Sequence, residues 1–234
     1  MLNANVLNEA ACYSNPATRK GVALNILYSS YRIFKSASRI QKINSLSALK
    51  PGKESIETVH KTLSALDSAV IDSTKIILCF ENFFKAELLS YGYIVHIIDS
   101  RADGKKYKHL LKEQKEKPIK LGAIRAIEGL KYKKGNNYSF NSLKNKTLSF
   151  SEITKNETYK KTFRLEAKLF DILSSINSQR NNLHLMIGET DSFNETVISN
   201  YKYLINIVNK RIVTKHNKLC DDLDFDPRAK INAI

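Results

Sequence analysis

The eight residues Asn177-Ser178-Gln179-Arg180-Asn181-Asn182-Leu183-His184 interrupt an otherwise apolar helical pattern. Six of their side chains are uncharged amides, a hydroxyl or an imidazole. On a continuous helix Arg180 and His184 stand one turn apart, about 40° around the axis and roughly 6 Å along it. Asn177 and Asn181 border the same face. A guanidinium grips a phosphate through paired N–H donors and stabilises charge developing on it. An imidazole titrates near neutrality and moves protons. RNA brings its own nucleophile, the 2′-hydroxyl, so such a pair could cut it without a metal or other cofactor. One imidazole does not easily act as base and acid at once, and two copies across a dimer would supply both roles. The competing reading of Arg180 and His184 is a buried polar pair that bridges helices.

The elements that must position this segment are helical. Residues 17–44 place Val22, Ile26, Leu27, Ile33, Phe34, Ala37 and Ile40 at three-to-four spacing, which fits one amphipathic helix or two short ones. Pro51-Gly52 breaks the pattern. A long stripe follows from about 55 to 90 (Val59, Leu63, Leu66, Val70, Ile77, Phe80, Phe84, Leu88), ending at Tyr91-Gly92, where glycine suits a helix C-terminus. Periodicity leaves Tyr93–Ile98 open between helix and short strand. The next stretch is a charged helix stopped by Pro118, and a turn around Gly135-Asn136-Asn137 leaves room for a small β-hairpin. From Glu157 one stripe runs through Phe163, Leu165, Leu169, Ile172, Leu173 and Ile176. A last helix, capped at Asp191 or Ser192, reaches about 215. The expectation is an all-α bundle of about six helices in a single domain over 1–220. Residues 1–50 form an N-terminal helical extension, 99–150 a basic insertion beside the core, and 221–234 an acidic, flexible tail.

Charge narrows the partners. The chain has 234 residues, 38 Lys and Arg against 23 Asp and Glu, and a net charge of +15. A polyanion, nucleic acid above all, fits that balance, although a solvated lysine-rich surface gives the same number. Residues 101–135 hold twelve basic residues and four acidic ones. Lys105, Lys106, Lys131, Lys133 and Lys134 are the candidate phosphate contacts there, with Tyr132, Tyr138 and Phe140 as stacking faces. No leader pattern and no long uncharged apolar run is read, so neither membrane nor secretion is expected. Cys12, Cys79 and Cys220 fit no disulfide framework and no zinc spacing, which suits reduced thiols in the cytoplasm, Cys79 in the core. His60, His96, His109 and His216 read as surface or core histidines. Asp221, Asp222, Asp224 and Asp226 could grip a divalent cation but read better as a solvated cluster, so no metal site is expected. No Walker loop, GxGxxG, GxSxG or HExxH occurs.

The segment Arg180-Asn181-x-x-His184 resembles the motif of the HEPN superfamily (higher eukaryotes and prokaryotes nucleotide-binding domain), an all-helical bundle with Arg, usually Asn next, then His. A second likeness lies in FENFFKAELL, where Glu81 and Lys85 match a Glu-x₃-Lys of some HEPN proteins. The resemblance covers about residues 60–96 and 157–212. Here three residues separate Arg from His, where the family has four to six, which rotates His184 by about 100° on a continuous helix. The resemblance implies a metal-independent endoribonuclease with its site at a homodimer interface. It also implies a toxin or antiphage-defence effector with an antitoxin or defence partner protein. Arg180 would hold the scissile phosphate, His184 would move protons and Asn181 would orient the site. Glu81, Lys85 and Asn177 would support it. The alternative is a non-catalytic HEPN-like module that binds RNA or a protein partner.

Overall fold

A computed structural model of the chain describes residues 4–48, 69–98, 108–126, 146–183 and 195–234. The described residues are mostly helical, and their only extended pairing is two isolated antiparallel bridges, Tyr93 with Lys120 and His96 with Thr147. The fold is all-α. Its helices are shorter and more numerous than the six or so the stripes suggest. They are α1 (Ala4–Cys12), α2 (Pro16–Lys35), α3 (Ser38–Gln41), α4 (Ile43–Ala48), α5 (Ala69–Ser90), α6 (Lys108–Glu116), α7 (Leu121–Arg125), α8 (Phe150–Thr154), α9 (Glu157–Phe163), α10 (Ala167–Leu183), α11 (Glu195–Ile207) and α12 (Thr214–Asp222). A π-helical segment, Val208–Val213, joins α11 to α12. The suggested hairpin around 135–137, the stripe before residue 69 and the caps Asp191 and Ser192 lie outside the described residues.

The chain divides into two compact units. One takes residues 1–26, 83–165 and 222–224, and the other takes 27–82, 166–221 and 225–234. The core of the first joins Val6 and Ala10 of α1 to Ile94 and Ile98, to Leu110 of α6, and to Ile119, Leu121 and Ile124 in and before α7. Two expectations change here. The N-terminal helix supplies core side chains of this unit and is not an appendage. The stretch 108–124, expected as part of an insertion beside the core, places five buried side chains inside it (Leu110, Gln114, Ile119, Leu121 and Ile124). Lysines alternate with these residues, so a high charge density hid an amphipathic pattern. In the same unit Phe84 packs against Phe163 and Phe150, at ring-centroid distances of 4.8 and 6.3 Å.

The α5 helix ends where glycine suits its terminus. Gly92 takes φ +76°, its N–H donates to the Leu89 carbonyl, and the Tyr93 N–H reaches back to the Leu88 carbonyl. That is a Schellman closure. The chain then runs extended through Tyr93–Ile98, and every N–H in it finds an acceptor. Ile94 N–H donates to the Ile119 carbonyl, and Ile97 N–H to the Lys146 carbonyl. Val95 and His96 N–H donate to the Glu9 carboxylate, and Ile98 N–H to the Gln114 side chain. A buried backbone donor must be satisfied. Here side chains from α1 and α6 stand in for a neighbouring strand.

The stripe expected to run unbroken from Phe163 to Ile176 is interrupted. Arg164 adopts the left-handed conformation (φ 51°) at the end of α9, and α10 starts at Ala167. The left-handed turn costs roughly 1–2 kcal/mol and is offset by burial of Tyr159 and Phe163 just before it. The last residues also differ from the loose tail expected. Ile231 is buried, and Asn217 and Asn209 hold the main chain of Ile231 and Ile234.

In the second unit a buried carboxylate starts α3. Asp72 accepts from Ser38 N–H, Ser38 Oγ and Arg39 N–H, each at 2.9 Å. Two of these are orphan donors of the first helical turn.

Candidate functional site

The α10 helix is continuous as far as Leu183, so Asn177, Arg180 and Asn181 share one element. Its buried stripe is Leu169, Phe170, Ile172, Leu173 and Ile176. Arg180 comes four residues after Ile176 and continues that stripe, while Ser174, Ser175 and Ser178 face solvent. This register half-buries the arginine. Its Nε is shielded from solvent and has no hydrogen-bond partner among the described residues. A guanidinium is a permanent cation, and leaving a buried N–H unsatisfied costs on the order of 1–3 kcal/mol. An anion that accepted from this side chain would relieve the cost, as it would at Arg19, whose Nε is in the same state.

Asn177, one turn earlier, is half-buried. His184 lies outside the described residues, as do Lys105, Lys106, Lys131, Lys133 and Lys134, the candidate nucleic-acid contacts. Glu81 and Lys85 are both half-buried on α5, and each has an interaction partner. Glu81 belongs to the unit that contains Arg180, and Lys85 to the other.

Three polar clusters escape a reading by spacing. In the first unit Glu9 and His96 are both buried, with Oε2 of Glu9 2.7 Å from Nδ1 of His96. A carboxylate orienting an imidazole is also the arrangement behind many general bases. This carboxylate additionally accepts from two backbone amides, so the pair fastens the extended segment to α1. Burial, helped by the charge of Glu9, pushes up the pKa of the nearby Tyr13 phenol. Beside this network a cavity of about 450 Å³ has an apolar floor of Ile97, Leu111 and Leu148. Its rim holds Lys115, Lys155, Glu152 and Asn156. Asn156 caps α9 and donates to the Lys115 and Glu116 carbonyls, and Glu152 closes the capping box of α8 with Ser149. Those two rim groups are occupied by structural work.

In the second unit His216 and Cys220 sit one turn apart on α12, with Nδ1 to Sγ at 3.7 Å. Burial lowers the imidazole's pKa, and burial with the Asp221 charge raises the thiol's. Neutral imidazole beside protonated thiol is the reverse of the ion pair that activates a nucleophilic cysteine. The third cluster is the pair Asn209 and Asn217 beneath residues 231–234. No periodicity marks it, because both asparagines act on main chain far along the sequence.

The acidic residues near the C-terminus are largely neutralised. Asp222 pairs with Lys20 at 2.6 Å, Asp221 with Lys230 at 2.7 Å and Asp226 with Arg228 at 2.7 Å. Among the described residues no group of three or more His, Cys, Asp or Glu side chains is placed to hold a metal ion. No described helix is long and apolar enough to cross a membrane. No protein-family model, no curated protein and no solved structure matches this chain.

Proposed function

We propose that this chain is a HEPN-type endoribonuclease that cuts RNA by attack of the 2′-hydroxyl, needs no metal, and works as a homodimer in a toxin or antiphage-defence role with an antitoxin or defence partner. The observation that carries the reading is the half-buried Arg180, whose shielded Nε has no partner among the described residues. In the reaction Arg180 holds the scissile phosphate while His184 of one copy takes the 2′-oxygen's proton. The 2′-oxygen bonds to phosphorus, the bond from phosphorus to the 5′-oxygen breaks, and His184 of the second copy protonates the leaving oxygen. The products are a 2′,3′-cyclic phosphate and a 5′-hydroxyl. Asn181 and Asn177 orient the site with support from Glu81, and Lys105, Lys106, Lys131, Lys133 and Lys134 bind RNA.

The test is cleavage of mixed RNA substrates in EDTA by wild type, Arg180→Ala and His184→Ala, with end-group analysis. Wild type should cut and leave cyclic phosphates, and both variants should lose at least roughly a hundredfold in rate. Arg180→Leu should be as inactive yet at least as stable as wild type, because it removes an unsatisfied donor and extends the apolar stripe. Intact RNA with every enzyme, or cleavage unaffected by either substitution, refutes the proposal. The three-residue interval between Arg180 and His184 favours a second reading, a non-catalytic HEPN-like module that binds RNA or a protein. In that case Arg180→Ala weakens binding and wild type shows no turnover.

A further inference from the structure

The C-terminal residues are held in an unusual way. Asn217 accepts from the Ile231 N–H at 3.0 Å and donates to the Ile231 carbonyl at 2.9 Å. Asn209 does the same for Ile234, at 2.9 and 3.2 Å. Each side-chain amide therefore takes both main-chain groups of one residue, as a neighbouring strand would. Asn209 and Asn217 are eight steps apart, at most about 12 Å of rise because part of the interval is π-helical. Their targets are three steps apart, at most about 10 Å of chain. The two intervals match, and the bound segment runs antiparallel to the helix.

The π-helical segment Val208–Val213 contributes to this match. In an uninterrupted α-helix, residues eight apart lie about 80° apart around the axis. A π-segment fits more residues into each turn, which reduces that offset and brings Asn209 and Asn217 toward one face. The four hydrogen bonds of Asn209 and Asn217 and Ile231, the buried hydrophobic among the described side chains of 225–234, anchor the resident segment, while Phe225 is half exposed. The chain leading to it turns at Asp224 (φ 53°) and Pro227–Ala229, and its ion pairs Asp226–Arg228 and Lys230–Asp221 lie at the surface.

From this geometry we infer that the Asn209/Asn217 face is a binding site for an extended polypeptide segment, with residues 231–234 as its resident in cis. The clamps read main chain, so they accept any extended segment that sets an aliphatic side chain where Ile231 lies. A partner protein with such a strand-like segment displaces the resident and docks along α11 and α12, by the logic of strand addition. A tethered resident competes at an effective concentration in the millimolar range, so the site is masked in the free chain and opens when the resident is weakened.

The probe is a fluorescent peptide of residues 225–234, titrated by anisotropy against full-length protein. Ile231→Asp, which evicts the resident's buried isoleucine, should bind the peptide at least roughly tenfold more tightly than wild type does. Adding Asn209→Ala and Asn217→Ala should weaken that binding at least roughly tenfold. No binding by Ile231→Asp with its helices intact by circular dichroism overturns the inference, and so does binding indifferent to both asparagines. Hydrogen exchange of wild type gives a reading free of any variant's folding. The Ile231 and Ile234 amides should exchange through local opening, at least roughly a hundredfold faster than those of Ile212 and Leu219. Equal protection would make the segment a fixed part of the core and refute the site.

Discussion

Glu9 offers the sharpest test of how the first unit is held. Its carboxylate is fully buried and accepts from Val95 N–H at 2.7 Å, His96 N–H at 2.9 Å and His96 Nδ1 at 2.7 Å. Glu9→Ala deletes both acceptor oxygens and with them all three hydrogen bonds, and leaves two backbone donors buried without partners. At about 1–3 kcal/mol for each orphaned donor, and with the methylene packing also lost, the cost is roughly 3–5 kcal/mol. That is a large part of the ~5–15 kcal/mol that separates folded from unfolded chains. Glu9→Gln is more discriminating because it preserves shape. Its amide oxygen can replace only one carboxylate oxygen, and its NH₂ then faces an N–H. If the oxygen takes the two His96 donors, Val95 N–H meets a donor, so a loss of about 2 kcal/mol remains. Urea unfolding gives the order wild type, Glu9→Gln, Glu9→Ala, and hydrogen exchange should show 94–98 deprotected first. A Glu9→Gln protein as stable as wild type would refute the claim that this carboxylate replaces a strand.

Two further outcomes follow from local geometry. Gly92→Ala should destabilise by about 1 kcal/mol, because the left-handed φ of +76° is strained for alanine even though the nearest atoms, on Arg19, allow ordinary contact. Gly21→Ala, in mid-helix with nothing within 4 Å of the added carbon, should stabilise by roughly 0.5–1 kcal/mol. Urea midpoints that move in the same direction for both would contradict the assigned backbone. The His216 pKa is lowered below its ordinary 6.5 by burial. Between the folded value and 6.5 the unfolded chain binds more protons, so stability is full above 6.5 and falls as pH drops through that window. His216→Gln should flatten this part of the stability–pH curve, and a slope identical to wild type's would show that the imidazole is not the group responsible.

The features legible from sequence are those in which a side chain's fate depends on its own residue type and a regular period. The α5 stripe and its stop at Gly92, the end of α6 before Pro118, the buried Cys79 and the all-α class are of this kind. Each follows from apolar spacing or from a backbone preference carried by one residue. What spacing could not reach is every place where a polar side chain satisfies main chain that is remote in sequence. Nothing in YIVHII announces that its amides will be met by Glu9 and Gln114, which lie 86 residues before and 16 after their targets. Nor does an asparagine in a helix announce that it will clamp main chain 14 or 25 residues on. The break at Arg164 was hidden for a related reason, since its strain is compensated by aromatic packing on Phe84. Arg180 lies between the two kinds. Its burial follows from the stripe, four residues past Ile176, but a stripe predicts an apolar residue at that position. At this position helical register and residue type conflict, and that conflict is the ground on which the role proposed for Arg180 rests.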